Sequence, residues 1–242
     1  MANQEHIFTS FDDELNSLAQ KIAEMGGMAE QQVGDSVAAL SRRDEALAQR
    51  VISIDQRMDE LQRQIEDEAT RMIARRQPMA QDLREIVAAI HIANDLERVG
   101  DMAKNTAKRV FAIEGNFAAQ RLVSGVEHIA EMSLAQLKQV LDAYTARDLD
   151  GALAVWQRDD EIDAMYTSLF RELLTYMMED PRNITFCTHL LFCAKNIERI
   201  GDHATNIAET IHYLVTGVPL TEERPKKDTS SVTTVEYTES DD

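Results

Sequence analysis

The sequence predicts an all-α protein built as two tandem three-helix bundles related by an internal repeat. Three observations predict it. Aromatic residues are only 5% of the 242, and the chain holds 9 glycines and 4 prolines, while Ala, Leu, Glu, Gln, Met and Arg, all strong helix formers, dominate. Apolar residues recur at helical spacing over long stretches broken only briefly. The same residues then return in the same order about a hundred positions later. Such a composition weighs against a β-sandwich or a doubly wound sheet, and a hydrophobic content of 44% argues against a chain disordered throughout.

Six helices are expected, over about 10–41, 44–76, 80–113, 118–146, 148–179 and 183–216. The first ends at a polar junction around Ser41 and Asp44. Pro78 separates the second from the third, as Pro181 separates the fifth from the sixth. Gly115 and Asn116 mark the midpoint. Lengths near 30 residues exceed the globular mean of about 11–12 and suit a bundle. The first bundle is placed at 8–113 and the second at 116–216. Residues 218–242, with Pro219, Pro225, Lys226-Lys227 and a Thr, Ser, Glu and Asp-rich end, carry no helical period and read as a disordered acidic tail.

The repeat is legible residue by residue. Ile22-Ala23-Glu24-Met25 returns as Ile129-Ala130-Glu131-Met132, and Gln32, Val33 and Asp35 as Gln139, Val140 and Asp142. In the second helix Arg43, Asp44, Val51, Asp55, Asp59 and Glu68 match Arg147, Asp148, Val155, Asp159, Asp163 and Glu172. In the third, Glu97, Arg98, Gly100, Asp101 and Asn105 match Glu198, Arg199, Gly201, Asp202 and Asn206. The register changes only between helices, where loops absorb insertions.

Charge narrows the function. The net charge of −18 makes the chain a poor general binder of nucleic acid, since phosphate contacts supply most non-specific affinity. No stretch approaches 18 apolar residues, so membrane contact is expected only through partners. The first 30 residues contain Asp12, Asp13, Glu14 and Glu24 without an apolar run, and no signal peptide is expected. Cys187 and Cys193, a rise of about 9 Å apart on a helix, are out of disulfide reach and are expected as reduced core thiols of a cytoplasmic protein.

The chemical signal is four carboxylate pairs at i, i+4: Asp55/Asp59, Glu97/Asp101, Asp159/Asp163 and Glu198/Asp202. Like charges so spaced cost a helix a few tenths of a kcal/mol, roughly 0.2–0.5, and a bound cation reverses that sign. At about 100° per residue, with Glu97 at 0°, Asp101 lies near 40° and Asn105 near 80°, while Leu96, Val99, Ala103, Ala107 and Val110 centre near 240°. Asp55 and Asp59 flank the stripe of Val51, Ile54, Met58, Leu61 and Ile65 in the same way. The acids are therefore expected on the flanks of two neighbouring helices, four carboxylates and one amide oxygen per half. Such oxygen donors suit Mg²⁺, Mn²⁺, Fe or Ca²⁺ and could bridge more than one ion; the alternative is a pair of solvated helix faces. Mid-helix Gly100 and Gly201 are expected where a neighbouring helix approaches closely. Arg98 and Arg199 either brace the carboxylates or merely neutralise the face.

Other candidates are weaker. His189 and Cys193 are i, i+4 neighbours whose repeat partners are apolar, so core packing is expected. Glu209 and His212 have the spacing of a di-iron carboxylate motif, but that site needs two such motifs and the counterpart begins with Lys108. No Gly-rich phosphate loop and no persuasive Ser-His-Asp or Cys-His arrangement is found.

At the third helices, Asn94-Asp95-Leu96-Glu97-Arg98-Val99-Gly100-Asp101 and Asn196-Ile197-Glu198-Arg199-Ile200-Gly201-Asp202-His203-Ala204 resemble the twin signature of the PhoU family. Asp55-Gln56-Arg57-Met58-Asp59 and Asp159-Asp160-Glu161-Ile162-Asp163 are similar to its second-helix acidic motif. The resemblance covers about 8–216. It implies two three-helix bundles, often as a homodimer. It also implies multinuclear metal sites, of divalent or iron type (Mg, Mn, Fe or Zn), on the bundle surfaces. Asp55, Asp59, Glu97 and Asp101 would serve one site, and Asp159, Asp163, Glu198 and Asp202 the other. The function implied is that of a cytoplasmic, non-enzymatic accessory protein of the phosphate-specific ABC transporter. It represses the phosphate-starvation response and links the transporter ATPase to a sensor histidine kinase. A metal-dependent phosphohydrolase or di-metal carboxylate enzyme is the rival. One departure is Asn196 in place of Asp95 in the second copy, which leaves a role for Asp95 open.

Overall fold

The computed structural model describes residues 2–113, 120–222 and 224. The Gly115–Asn116 midpoint lies outside them, as does the tail from 225 on. The described residues form seven α-helices and one 3₁₀ turn, with no strand among them: α1 Ala2–Arg42, α2 Glu45–Arg76, α3 Gln81–Val110, α4 Gln120–Ala146, α5 Leu149–Gln157, α6 Asp159–Glu179 and α7 Ile184–Thr216, with the 3₁₀ turn at Pro181–Asn183.

The junctions are built from local chemistry, and the repeat extends to them. Arg43 and Arg147 both adopt left-handed backbone, φ 54° and 51°. The amide of the following aspartate then donates five residues back, Asp44 N to the Ala39 carbonyl at 3.0 Å and Asp148 N to the Ala143 carbonyl at 2.9 Å. Each aspartate caps the next helix, Asp44 accepting from the Leu47 amide and Asp148 from the Asp150 amide. The α2–α3 turn uses left-handed Gln77 and Ala80 around Pro78. α7 ends at Gly217, φ 77°, whose amide donates to the Tyr213 carbonyl at 2.8 Å.

One expectation is corrected. The helix predicted over 148–179 is two helices. Arg158, at φ −99° and ψ 8°, interrupts it, and its carbonyl accepts from Gln136 Nε2 at 3.0 Å and from the Glu161 amide, three residues on, at 3.2 Å. α6 restarts with Asp159, Asp160 and Glu161 in its first turn, where the helix dipole favours anions. Its counterpart α2 runs unbroken.

α1, α2 and α3 pack as one bundle, and α4, α5/α6 and α7 as the other. The two are joined by α3 against α7 and α1 against α4. A single buried apolar cluster runs through both, from Ile22, Met58 and Leu96 to Ile129, Ile162 and Ile197. α3 and α7 are antiparallel: Arg109 meets His189 near one end, Asp95 meets His203 in the middle, and Arg84 lies against Gly217 at the other end. Arg147 ion-pairs with Glu85 across the two halves. Among the described residues no helix is long and apolar enough to cross a membrane.

Candidate functional site

Each half brings its two acidic pairs together on adjacent helices. In the first, α2 carries Asp55 and Asp59 and α3 carries Glu97 and Asp101. Lys104, one turn beyond Asp101, ties the two helices: its Nζ donates to Asp55 Oδ2 at 2.5 Å and to Asp101 Oδ1 at 2.7 Å. Burial alone would lower the Lys104 pKa, but the hydrogen bonds to Asp101 and Asp55 outweigh it and hold the ammonium charged. Arg98 reaches Glu97 Oε2 at 3.1 Å and Asp101 Oδ2 at 3.2 Å, so it braces the carboxylates. Burial raises the Glu97 carboxyl, and Asp101, Asp59 and Asp55 push it the same way.

In the second half, α6 carries Asp159 and Asp163 and α7 carries Glu198 and Asp202. Asp159 is 2% exposed, Asp163 4% and Glu198 4%. These acids, and Asp55 at 8% in the first half, sit deeper than the surface flank expected of them. Thr205 Oγ1 donates to Asp159 Oδ1 at 3.0 Å. Lys195 Nζ donates to Glu198 Oε1 at 2.8 Å and lies 4.9 Å from the centre of the Tyr166 ring. Glu198 Oε2 is buried with no hydrogen-bond partner. Burial pushes the Glu198 carboxyl up to about 7, with Asp202 and Asp163 adding to the rise and Lys195 opposing it. Arg199 is exposed, as is Arg98.

A residue outside both helix pairs completes this cluster. Arg224, beyond α7, places Nε 2.7 Å from Asp159 Oδ2 and Nη2 2.7 Å from both Asp159 Oδ1 and Asp202 Oδ1. The stretch from 218 expected to be tail thus begins by folding back, and Leu220 packs on the core.

The repeated glycines work as expected. A Cβ on Gly100 would stand 3.1 Å from Gln32 Oε1, and one on Gly201 would stand 2.8 Å from Ile162 Cδ1 and 3.7 Å from Gln136 Oε1. Gln136, three residues before the Gln139 that sequence matching pairs with Gln32, is thus the residue that approaches the second glycine. The oxygens of Gln32 and Gln136 are both buried without hydrogen bonds.

Several candidates are placed elsewhere. Asn206, counted as an amide ligand of the second cluster, donates instead to Asp95 Oδ1 at 3.3 Å. Glu209 accepts from Trp156 Nε1 at 3.1 Å and His212 Nδ1 lies 3.0 Å from the Val218 carbonyl, so the two form no joint site. Cys187 and Cys193 are buried free thiols, and burial pushes Cys193 up to about 12. His189, half-buried, meets Arg109 Nη1 at 3.3 Å, and burial together with that guanidinium lowers its pKa.

Among the described residues no three His, Cys, Asp or Glu side chains are drawn up closely enough to share one ion. The donor set nevertheless fits a hard cation. Four carboxylates face each other across each helix pair, a cation of the chain already bridges two of them, and the second half keeps a buried carboxylate oxygen without a hydrogen bond.

Fold and site together define an all-helical, two-repeat protein with one acidic cluster per repeat. The chain matches the PhoU domain family model over residues 22–110 and 126–211, and it belongs to that family. It is 63% identical over 226 residues to the "Phosphate-specific transport system accessory protein PhoU homolog" of Rhizobium meliloti, covering 93% of this chain and 95% of that one. It is 54% identical to the protein of the same name from Caulobacter vibrioides, covering 94% and 99%. The crystal structure of PhoU from Pseudomonas aeruginosa superposes with a TM-score of 0.83 at 42% identity, covering 86% of this chain and 100% of that one. The phosphate transport system regulatory protein PhoU from Streptococcus pneumoniae gives 0.81 at 29% identity, covering 88% and 100%.

Proposed function

We propose that this protein is a non-enzymatic, cytoplasmic regulator attached to a phosphate-specific ABC transporter. It represses the phosphate-starvation response when phosphate is plentiful, acts as a homodimer, and links the transporter ATPase to a sensor histidine kinase by protein contact. The observation that supports this reading most is the duplicated acidic cluster on paired PhoU repeats, in a chain aligned almost end to end with relatives named as phosphate transport accessory proteins. The net charge of −18 fits basic or cation-carrying partners and not nucleic acid.

Asp55, Asp59, Glu97 and Asp101 would hold metal in the first repeat, and Asp159, Asp163, Glu198 and Asp202 in the second. Bound there, a metal ion supplies positive charge that cross-links two helices otherwise repelling through their carboxylates. The chain's own residues do the rest. Arg98 orients Glu97 and Asp101, Thr205 orients Asp159, and Gly100 and Gly201 allow the helices to meet.

The test combines elemental analysis by plasma mass spectrometry with a starvation-response reporter. It uses a strain lacking the gene, complemented by wild type or by a variant with Glu97, Asp101, Glu198 and Asp202 changed to Ala. Metal in the wild type and none in the variant, with repression at high phosphate restored only by the wild type, is expected. Full repression by a metal-free variant overturns the metal part. A wild type that never restores repression overturns the regulatory part.

A further inference from the structure

We propose that the second acidic cluster is a guanidinium-binding site filled by the chain's own Arg224, and that Arg224 and a divalent metal exclude one another there. The second half of this statement rests on the metal reading above; the first does not.

The repeat shows why Asp159 needs a cation from outside the two helices. Aligned on Glu97/Glu198 and Asp101/Asp202, Lys104 of the first repeat falls on Thr205 of the second. In the first repeat the positive charge that bridges the two helices is therefore built into α3. In the second, Thr205 offers only a neutral hydroxyl to Asp159. Asp159 is a carboxylate 2% exposed, and a buried carboxylate without a countercharge is costly. Arg224 supplies the countercharge by a two-point hydrogen bond to Asp159, the strong planar pairing of guanidinium with carboxylate, and adds Asp202 through the same Nη2. Its side chain is 16% exposed in doing so.

The path back to the cluster is short. From Gly217 to Asp202 the helix rises about 22 Å at 1.5 Å per residue. The seven residues from Gly217 to Arg224 span roughly 23 Å when extended. With the arginine side chain adding to that reach, the cluster is accessible once the chain turns back along α7. The turn is built for this: Gly217 is left-handed, the Val218 carbonyl meets His212 Nδ1 at 3.0 Å and accepts from Thr216 Oγ1 at 3.1 Å, and Leu220 packs on the core. The two clusters thus differ in kind. Lys104 sits on a helix that stays in place, whereas Arg224 sits on a strap that leaves if another cation takes its oxygens.

The experiment uses the full chain carrying a fluorophore on Ser230→Cys; both native thiols are buried and do not compete for the label. Anisotropy reports the strap, and Mn²⁺ binding is followed by calorimetry. In chelator-treated protein, Arg224→Ala and Asp159→Asn should each lower the anisotropy, with Arg224→Lys intermediate. Arg224 lies beyond the last helix, so its variants leave the bundles intact. Wild-type anisotropy in Arg224→Ala overturns the guanidinium site. On adding Mn²⁺, wild-type anisotropy should fall to the Arg224→Ala value, and Arg224→Ala should bind Mn²⁺ about tenfold more tightly than wild type. Equal Mn²⁺ affinity in the two proteins, or anisotropy unmoved by bound Mn²⁺, overturns the exclusion. Absence of Mn²⁺ binding in both overturns the exclusion and the metal reading together, while the metal-free comparison still decides the guanidinium site by itself.

Discussion

Asp95 Oδ1 on α3 lies 2.9 Å from His203 Nδ1 on α7, and the same oxygen accepts from Asn206 Nδ2 at 3.3 Å. The contact stitches the third helix of one repeat to the third helix of the other. It also explains two departures from the repeat at once. Asp95 corresponds to Asn196, and His203 to Met102, so the repeat does not carry this pair twice. Both Asp95 and His203 are largely buried, 16% and 14% exposed at the side chain. Asp95→Asn and His203→Met should each lower stability by about 1–2 kcal/mol, and the double variant should cost less than the sum of the two. Denaturant titration of the four proteins gives the coupling directly; strict additivity would mean the pair carries no energy of its own.

Lys104 is the internal cation of the first cluster. Removing it as Lys104→Ala leaves Asp55 and Asp101 facing each other across two helices without their shared donor. The metal-free protein should lose about 1.5–3 kcal/mol, the range for hydrogen bonds to charged groups. Adding Mn²⁺ should raise the melting temperature of the variant more than that of the wild type, because the ion no longer competes with an ammonium. A smaller rise in the variant than in the wild type would show that Lys104 does not occupy the metal's place.

Much of this was readable from residue order. The i, i+4 acids, the glycines and the two Arg-Asp junctions repeat in a chain whose helices keep one period, so fold class, repeat and the meeting of acidic pairs on adjacent helices follow from spacing. The break at Arg158 was not readable: no Pro or Gly marks it, and its carbonyl is captured by Gln136 from a different helix. A helical wheel ranks positions on one isolated helix and does not show what a neighbouring helix covers, so the burial of Asp159, Asp163 and Glu198, and of Asp55 on the unbroken α2, is not legible from it. Arg224 lay in a stretch whose composition signals only the absence of helical period. The Lys104-to-Thr205 replacement is the one hint in the sequence that Asp159 draws its cation from elsewhere.

Glu198 sets a pH dependence. Its folded-state carboxyl is raised to about 7 from the ordinary 4.5, first by burial and then by Asp202 and Asp163. A raised acid binds more protons folded than unfolded between those values, so stability falls as pH rises from about 4.5 to about 7 and is level above that. Metal-free protein should therefore melt lower at pH 8 than at pH 5.5. Glu198→Gln, which keeps the shape without the charge, should flatten that slope and leave the variant the more stable of the two at pH 8. A wild-type melting temperature that climbs over this interval would contradict the assignment.

Gly201 and Gly100 occupy matching places, yet their neighbours differ in what they can yield. A methyl on Gly100 meets the amide end of Gln32 at 3.1 Å, while one on Gly201 meets Ile162 Cδ1 at 2.8 Å inside the core. Alanine in a helix interior gains about 1 kcal/mol over glycine. At position 100 that gain offsets a small displacement, so Gly100→Ala should change stability by less than about 1 kcal/mol. At position 201 the overlap falls on a side chain 1% exposed, and overpacking of this kind costs typically 1–3 kcal/mol. Gly201→Ala should therefore destabilise, and Ile162→Val in the same chain, which deletes the clashing Cδ1, should restore most of the loss. Chemical denaturation of the single and double variants checks this; a Gly201→Ala protein as stable as wild type, or one that Ile162→Val fails to rescue, would show that the α6–α7 approach is not limited by that contact.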